Sequence, residues 1–195
     1  MCFRKAPADR FEGRSGPAGR SGISGAGRGL AGLLLAALVW MSASPVHAEC
    51  SDFAAPGVHW RRCLLDGLDL SGLDLAGAIL RDSSLKRAVL DDSILDGVDA
   101  RRAKFVSASM RRANLEGADL SLADLTSADL EGAVLRGADL SRSKLFNANL
   151  READLTGARL EGVDLLRADL SGAIWVDGEG HCSAGSIGRC RKMRD

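Results

Sequence analysis

From Trp60 to Trp175 every fifth residue is apolar. That column has 24 positions: 19 are Leu, and Trp60, Ala100, Phe105, Met110 and Trp175 complete it. Two residues ahead of it runs a second restricted column, with 15 Ala, three Ser, three Val, two Leu and Cys63. Residues 58–177 carry 16 basic and 20 acidic side chains, and none falls in either column. Charges indifferent to this phase would place about two fifths of their number there, so a five-residue period governs burial.

Few backbones honour that period. An α-helix turns about 100° per residue, so a step of five leaves no common face. A long strand fails because an odd step sends the side chain to the opposite face. The unit that works is three extended residues pointing in, out and in, such as Ala118-Asp119-Leu120, followed by a two-residue corner, Ser121-Leu122. Gly fills the second corner position in 10 of 24 pentads. A type II turn needs a positive φ there, which Gly adopts without a Cβ clash.

The corner glycines also count the sides. Gly77, Gly97, Gly117, Gly137 and Gly157 recur at steps of 20, whereas a 15-residue series from Gly77 meets Asp92. Four pentads therefore close one coil, and 24 pentads make about six coils. At a strand spacing of about 4.8 Å the rod would be roughly 25–30 Å long, its backbone groups bonding to the coils above and below. Leu and Ala would line the inside. Ala100 would leave a gap in the Leu column for Phe105 and Met110 to fill.

The first 48 residues follow another rule. A basic, Gly/Ser-rich stretch leads into twelve apolar residues, Leu30 to Met41, and then Val46-His47-Ala48. A small residue at Ala48 suits signal peptidase, so residues 1–48 are predicted to be a signal peptide cleaved after Ala48. The alternative is an uncleaved anchor, but twelve residues fall short of the roughly 20 that a spanning helix needs. Glu49 before Cys50 does not fit lipoprotein anchoring, and no Arg-Arg pair precedes the apolar run. The expected localisation is periplasmic or secreted, with no transmembrane anchor after cleavage. Beyond residue 48 the chain has 20 basic and 24 acidic residues, a mild excess that points to no particular partner.

Ala113-Asn114-Leu115-Glu116-Gly117-Ala118-Asp119-Leu120 reads A(D/N)LxxA(D/N)L. So do Ala123-Asp124-Leu125, Ala128-Asp129-Leu130, Ala138-Asp139-Leu140, Ala148-Asn149-Leu150, Ala153-Asp154-Leu155 and Ala168-Asp169-Leu170. Residues 58–177 thus resemble the pentapeptide-repeat family. The resemblance implies an all-β, right-handed quadrilateral parallel β-helix, in agreement with the corner glycines. It implies little about activity. The best understood members resemble duplex DNA and bind type II topoisomerases.

A solenoid end exposes apolar side chains and unpaired backbone, so caps are expected at residues 49–57 and 178–195. Four Cys remain beyond the leader. An even number in an exported chain reads as two disulfides. Cys50–Cys63 and Cys182–Cys190 are the favoured pairs, one at each end. Cys63 also fits as a plain inward-facing residue of the Ala column. Trp60 and Trp175 would fill the widened ends.

Catalytic signatures are missing: there is no Walker loop, HExxH, nucleophile motif or dinucleotide fingerprint. His59 reads as an outward side chain and His181 as part of a cap. His181 with Cys182 and Cys190 lacks zinc-finger spacing. No cofactor, metal site or nucleic-acid partner is expected, and a straight rod has no concavity in which Ser, His and Asp could converge.

Residues 20 apart should stack into outward columns. Val106, Thr126, Phe146 and Leu166 form one, read first as cross-coil packing and otherwise as a strip for a partner or a second copy. Arg61, Arg81 and Arg101 form another, with Arg62 and Arg102 alongside and Lys86, Arg87 and Lys104 on the next face. The plain reading is a solvated basic end offset by Asp82 and Asp99; the sharper one is a patch for an anionic envelope polymer. Asp91/Asp92, Arg111/Arg112 and Glu131 form a self-complementary column. The sequence reads best as an exported, non-catalytic scaffold that binds a protein or cell-envelope component. The alternative, a DNA-mimicking topoisomerase inhibitor, would need cytosolic residence and a denser acidic surface.

Overall fold

The structure, a computed structural model, describes residues 50–192, which belong to the unit Ser44–Asp195. The leader at residues 1–48, its cleavage point and Glu49 lie outside the described residues, as do residues 193–195 of the C-terminal cap.

Parallel bridges join each outward residue to the one 20 places on. One ladder runs His59, Ile79, Asp99, Asp119, Asp139, Arg159, and three more run from Leu64 to Asp164, Asp69 to Asp169 and Asp74 to Ile174. These ladders are the first to fourth walls of a rod, and each has six rungs. The coil therefore closes after four pentads, as the glycine spacing requires.

One pentad, 114–118, accounts for every backbone N–H. Asn114 donates back to Ser93 O at 2.9 Å, while Leu115 and Gly117 donate forward to Val134 O and Arg136 O at 2.7 and 2.8 Å. Ala118 closes the corner onto Leu115 O at 3.1 Å. The remaining N–H, of Glu116, donates to Asn114 Oδ1 at 3.2 Å. This is the physical reason for Asp or Asn in the outward position: the first corner N–H has no backbone partner, and a short side chain two residues earlier accepts it. Asp119 serves Ser121 in the same way, and Asp139 serves Ser141.

The second corner residue is left-handed throughout, with φ between 54° and 76° from Gly57 to Gly172. Thirteen of these residues are not Gly, Leu122 and Glu152 among them. The requirement for positive φ thus reaches well beyond the glycines that revealed it.

Inside, Leu and Ala are almost wholly buried through the middle coils. Ala100, Phe105 and Met110 are buried too, at 0%, 1% and 0% exposure, so the short residue in the Leu column leaves no opening to solvent. Three inward Ser interrupt the Ala column. The Ser83 and Ser93 hydroxyls bond to Leu80 O and Leu90 O, but Ser143 Oγ is buried with no partner.

The ends differ. At the N-terminal end Cys50 and Cys63 form a disulfide with Cα atoms 5.4 Å apart, so Cys63 is a crosslink as well as an inward residue. Trp60 Nε1–H donates to Asp52 O at 3.3 Å, and the ring is fully buried. At the C-terminal end the chain turns at Gly178 and runs back antiparallel along the last coil, pairing Ile174 with His181 and Asp169 with Ile187. Leu170 and Gly172 donate to Ser186 O and Cys182 O, and Gly188 and Cys182 donate to Ala168 O and Ala173 O. Residues 190–192 return over this strand, bridging Cys182 to Lys192, and the Cys182–Cys190 disulfide closes the loop with Cα atoms 5.0 Å apart. The cap covers only the third and fourth walls. Over the first and second walls Leu160, Val163 and Leu165 remain partly exposed, because a strand reversed at Gly178 reaches only two walls before it doubles back. Trp175 is accordingly only partly buried.

Candidate interaction surfaces

With the inner columns filled by apolar and small side chains, binding chemistry has to come from the outward columns. Much of their charge is spent on itself. In the corner after the third wall, Arg111 Nε lies 3.2 Å from Asp91 and Arg112 Nη2 2.7 Å from Asp92, one coil below. The Arg112 hydrogen bond holds the Asp92 carboxyl below its ordinary range. On the first wall Asp99 binds both Arg81 and Arg101, at 2.5 and 3.0 Å, and Asp139 meets Arg159 at 3.5 Å. Such exposed pairs contribute little individually, about 0–1 kcal/mol each, but they hold side chains in register along the rod.

The column Val106, Thr126, Phe146, Leu166 follows the corner after the second wall. Its first three members are half-buried, and Leu166 is exposed. Thr126 turns its hydroxyl to Asp124 at 2.6 Å, and the Arg167 guanidinium lies 6.0 Å from the Phe146 ring centroid. Val106 accepts a backbone bond from Arg87, and Phe146 one from Ser127. Phe146 is thus partly covered by its own neighbours, and Leu166 is the free end of the column.

The basic column divides into two sets. Arg81, Arg101 and Arg102 are ion-paired, Arg102 to Asp82 at 2.7 Å. Arg61, Arg62, Lys86, Arg87 and Lys104 form no ion pair among the described residues; all five are exposed, as is Arg102, whereas Arg81 and Arg101 are half-buried. Asp66 lies between them, but its carboxylate accepts the Ser84 hydroxyl at 2.6 Å and the Lys86 N–H at 2.9 Å. The Ser84 bond foremost keeps that carboxyl below its ordinary range, with the Lys86 N–H and the nearby cations adding to it against a slight desolvation. Asp66 and Asp91 also show a substitution within the corner rule: where the outward residue is Ser84 or Ser109, an Asp one coil earlier accepts the first corner N–H instead. Sequence reading placed Asp91 in a self-complementary charge column, passed over Asp66 and missed this role in both, although Asp66-x17-Ser84 and Asp91-x17-Ser109 share one spacing.

His59 and His181 are exposed, and His181 Nδ1 lies 3.1 Å from Gly172 O. Among the described residues no three His, Cys, Asp or Glu side chains are grouped to hold a metal, and no helix is long and apolar enough to cross a membrane.

The model of the family called pentapeptide repeats matches residues 47–82, 83–121, 123–162 and 148–174, in eight copies. No curated protein matches the chain. Among solved structures it is similar to HetL, a pentapeptide repeat protein involved in heterocyst differentiation regulation in the cyanobacterium Nostoc, at 33% identity over 60% of this chain and 66% of HetL, with a TM-score of 0.44. It is similar to QnrB1, a plasmid-mediated fluoroquinolone resistance protein, at 29% identity over 57% of this chain and 59% of QnrB1, with a TM-score of 0.35. A pentapeptide repeat protein from the Arabidopsis thaliana thylakoid lumen is 30% identical over 65% of this chain and 86% of its own, with a TM-score of 0.25. The chain therefore spans just under two thirds of HetL and less of QnrB1.

Proposed function

The chain belongs to the pentapeptide-repeat family, and on that premise we propose that it is an exported, non-catalytic scaffold whose rigid walls bind a protein or cell-envelope component. We take the coil to be the right-handed, four-sided form. The observation that carries the reading is the unbroken set of 20-residue ladders from His59 to Ile174. A backbone paired coil by coil offers long walls whose side chains keep fixed spacings, which suits recognition of an extended partner. Two disulfides, one at each end, fit an oxidising compartment, and the apolar run Leu30–Met41 ahead of Ala48 supplies a route there.

A DNA-mimicking role would rest on a continuous acidic wall. Here the one run of carboxylates on the first wall, Asp99, Asp119 and Asp139, is paired with Arg at every rung, to Arg81 and Arg101, to Arg101 and to Arg159, so the scaffold reading is preferred. The test is the amino-terminal sequence of the protein recovered from cell fractions. A chain beginning at Glu49 in the periplasm or medium supports the proposal. A chain retaining Met1 in the cytosol ends it.

A further inference from the structure

The two most exposed large apolar side chains among the described residues are Leu64, at 83%, and Phe53, at 69%. Both lie at the N-terminal end of the rod. Leu64 is the first rung of the second wall and follows Cys63, which is bonded to Cys50. Phe53 follows Asp52, whose carbonyl holds Trp60. The same disulfide and hydrogen bond that fix the cap therefore place both side chains at one tip.

Cations surround that tip. Lys104 stands two rungs along the second wall from Leu64. Arg61 and Arg62 occupy the corner on one side of the wall, and Lys86 and Arg87 the corner on the other. All five are exposed and without an ion pair among the described residues. The carboxylates on this wall and its two corners in the first three coils are Asp66 and Asp82, and the cap adds Asp52. Asp82 is taken by Arg102, and Asp66 by Ser84 and the Lys86 N–H. The tip is positive, and its positive groups are available.

We propose that this N-terminal tip docks the rod onto an anionic lipid bilayer, with Phe53 and Leu64 entering the headgroup region and the five cations meeting lipid phosphates. Charge alone would suit a soluble polyanion equally well. The apolar pair decides between them: a polymer in water gains nothing from Phe53 or Leu64, whereas a bilayer interface takes up apolar side chains beside basic ones. Each Lys or Arg close to an anionic membrane surface adds on the order of a fivefold gain in binding. Several acting together give reversible attachment without a spanning helix. The inference rests on the reading of the rod as a binding scaffold and supplies one partner for it.

Co-sedimentation of the purified, disulfide-intact protein with vesicles tests it. The protein should bind vesicles of phosphatidylglycerol and phosphatidylcholine at least ~10-fold more tightly than pure phosphatidylcholine, and lose that preference in high salt. Arg61→Gln, Arg62→Gln, Lys86→Gln and Arg87→Gln combined should remove most of the binding. Arg142→Gln with Lys144→Gln, on the far coils, should leave it unchanged. Phe53→Ser with Leu64→Ser should weaken vesicle binding and leave binding to heparin, a soluble polyanion, as it was. All these side chains are exposed, so an unaltered melting temperature verifies the fold. Failure to bind anionic vesicles overturns the inference, as does vesicle binding indifferent to Phe53 and Leu64, which would assign the tip to a soluble polyanion. Neither result touches the amino-terminal sequencing that tests export.

Discussion

At the N-terminal end of the rod the Cys50–Cys63 disulfide runs from the cap into the first coil, whereas at the C-terminal end Cys182–Cys190 closes entirely within the cap. The first arrangement needs few residues. Those at 50–57 suffice to bury Trp60 completely, because a covalent bond and the Trp60–Asp52 hydrogen bond pin them. The second depends on backbone pairing, so its coverage extends only as far as the returning strand. Trp175 stays partly exposed under it, and Leu160, Val163 and Leu165 lie beyond its reach. A covalent pin can hold a short segment in place; a paired strand must follow the edge it covers.

That contrast is broken most directly at the two tryptophans. Trp60→Ala removes a fully buried ring whose cap then has nothing to cover, and should cost about 3–5 kcal/mol. Trp175→Ala removes a ring already partly in water and should cost less than half as much by the same area argument. Chemical denaturation of both variants measures the difference. Equal losses would mean that the two ends are closed equally well.

The disulfides come next. Replacing Cys50 and Cys63 by Ser opens a loop of 13 residues, and replacing Cys182 and Cys190 opens one of 8. On loop entropy alone the two cost about 3 and 2.5 kcal/mol, nearly the same. The consequences should differ in place. Loss of the first should expose Trp60, read as a red shift in its fluorescence and faster amide exchange in the first coil. Loss of the second should speed proteolysis at residues 183–189, with the antiparallel pairing to Asp169 and Ile174 still protected.

Much of this was legible in the sequence, and the reason is the strictness of the period. A column of 19 Leu in 24 places can only be an inside, and Gly at steps of 20 counts the corners. The unread parts are those the period does not reach. Nothing in residues 178–195 repeats, so the reversal at Gly178 and the half-covered end had no signal. The non-glycine corners, such as Leu122, gave none either, because an L-residue at positive φ is disfavoured and its presence is imposed by the coil. The acceptor role of Asp66 and Asp91 went unread because it appears only when the next coil lies above them. For the candidate surfaces the sequence offered Asp82 and Asp99 as offsets to the basic end but did not say which cations they reach: Arg81 and Arg61 look alike in sequence, and of the two only Arg81 has Asp99 within reach.

Acid should loosen both ends by a common route. The carboxyls of Asp66 and Asp139 are held low chiefly by hydrogen bonds from Ser84 and Ser141. Asp169 is pushed up by burial, but bonds from Ser171 and the charge of Arg151 carry it below its ordinary range. A depressed carboxyl stabilises the folded chain above its unfolded pKa of 3.8 and ceases to do so as pH falls through the folded value. The melting temperature should therefore be level from about pH 5 to 8 and fall below about pH 4. Asp177, held low by Lys192 in the C-terminal cap, adds a local signature. Asp177→Asn should remove part of the acid sensitivity of the C-terminal cap and none of that around Trp60.

The smallest effects lie between the ends, at the corners. Gly117 and Leu122 sit in successive corners with φ of 64° and 61°. A Cβ at Gly117 would meet nothing within 4 Å, so the glycine there serves the backbone angle and not space. Gly117→Ala should therefore destabilise by about 1 kcal/mol through the left-handed conformation alone, less the gain from restricting the unfolded chain. Leu122 already bears that strain, and its side chain is half in solvent at 49% exposure. Leu122→Asn, a residue that tolerates the left-handed region, should stabilise by up to about 1 kcal/mol. Leu122→Gly should gain less, because glycine adds freedom to the unfolded chain. If Leu122→Asn destabilises instead, the exposed leucine is packing against its neighbours in the corner, and backbone angle is not what governs that position.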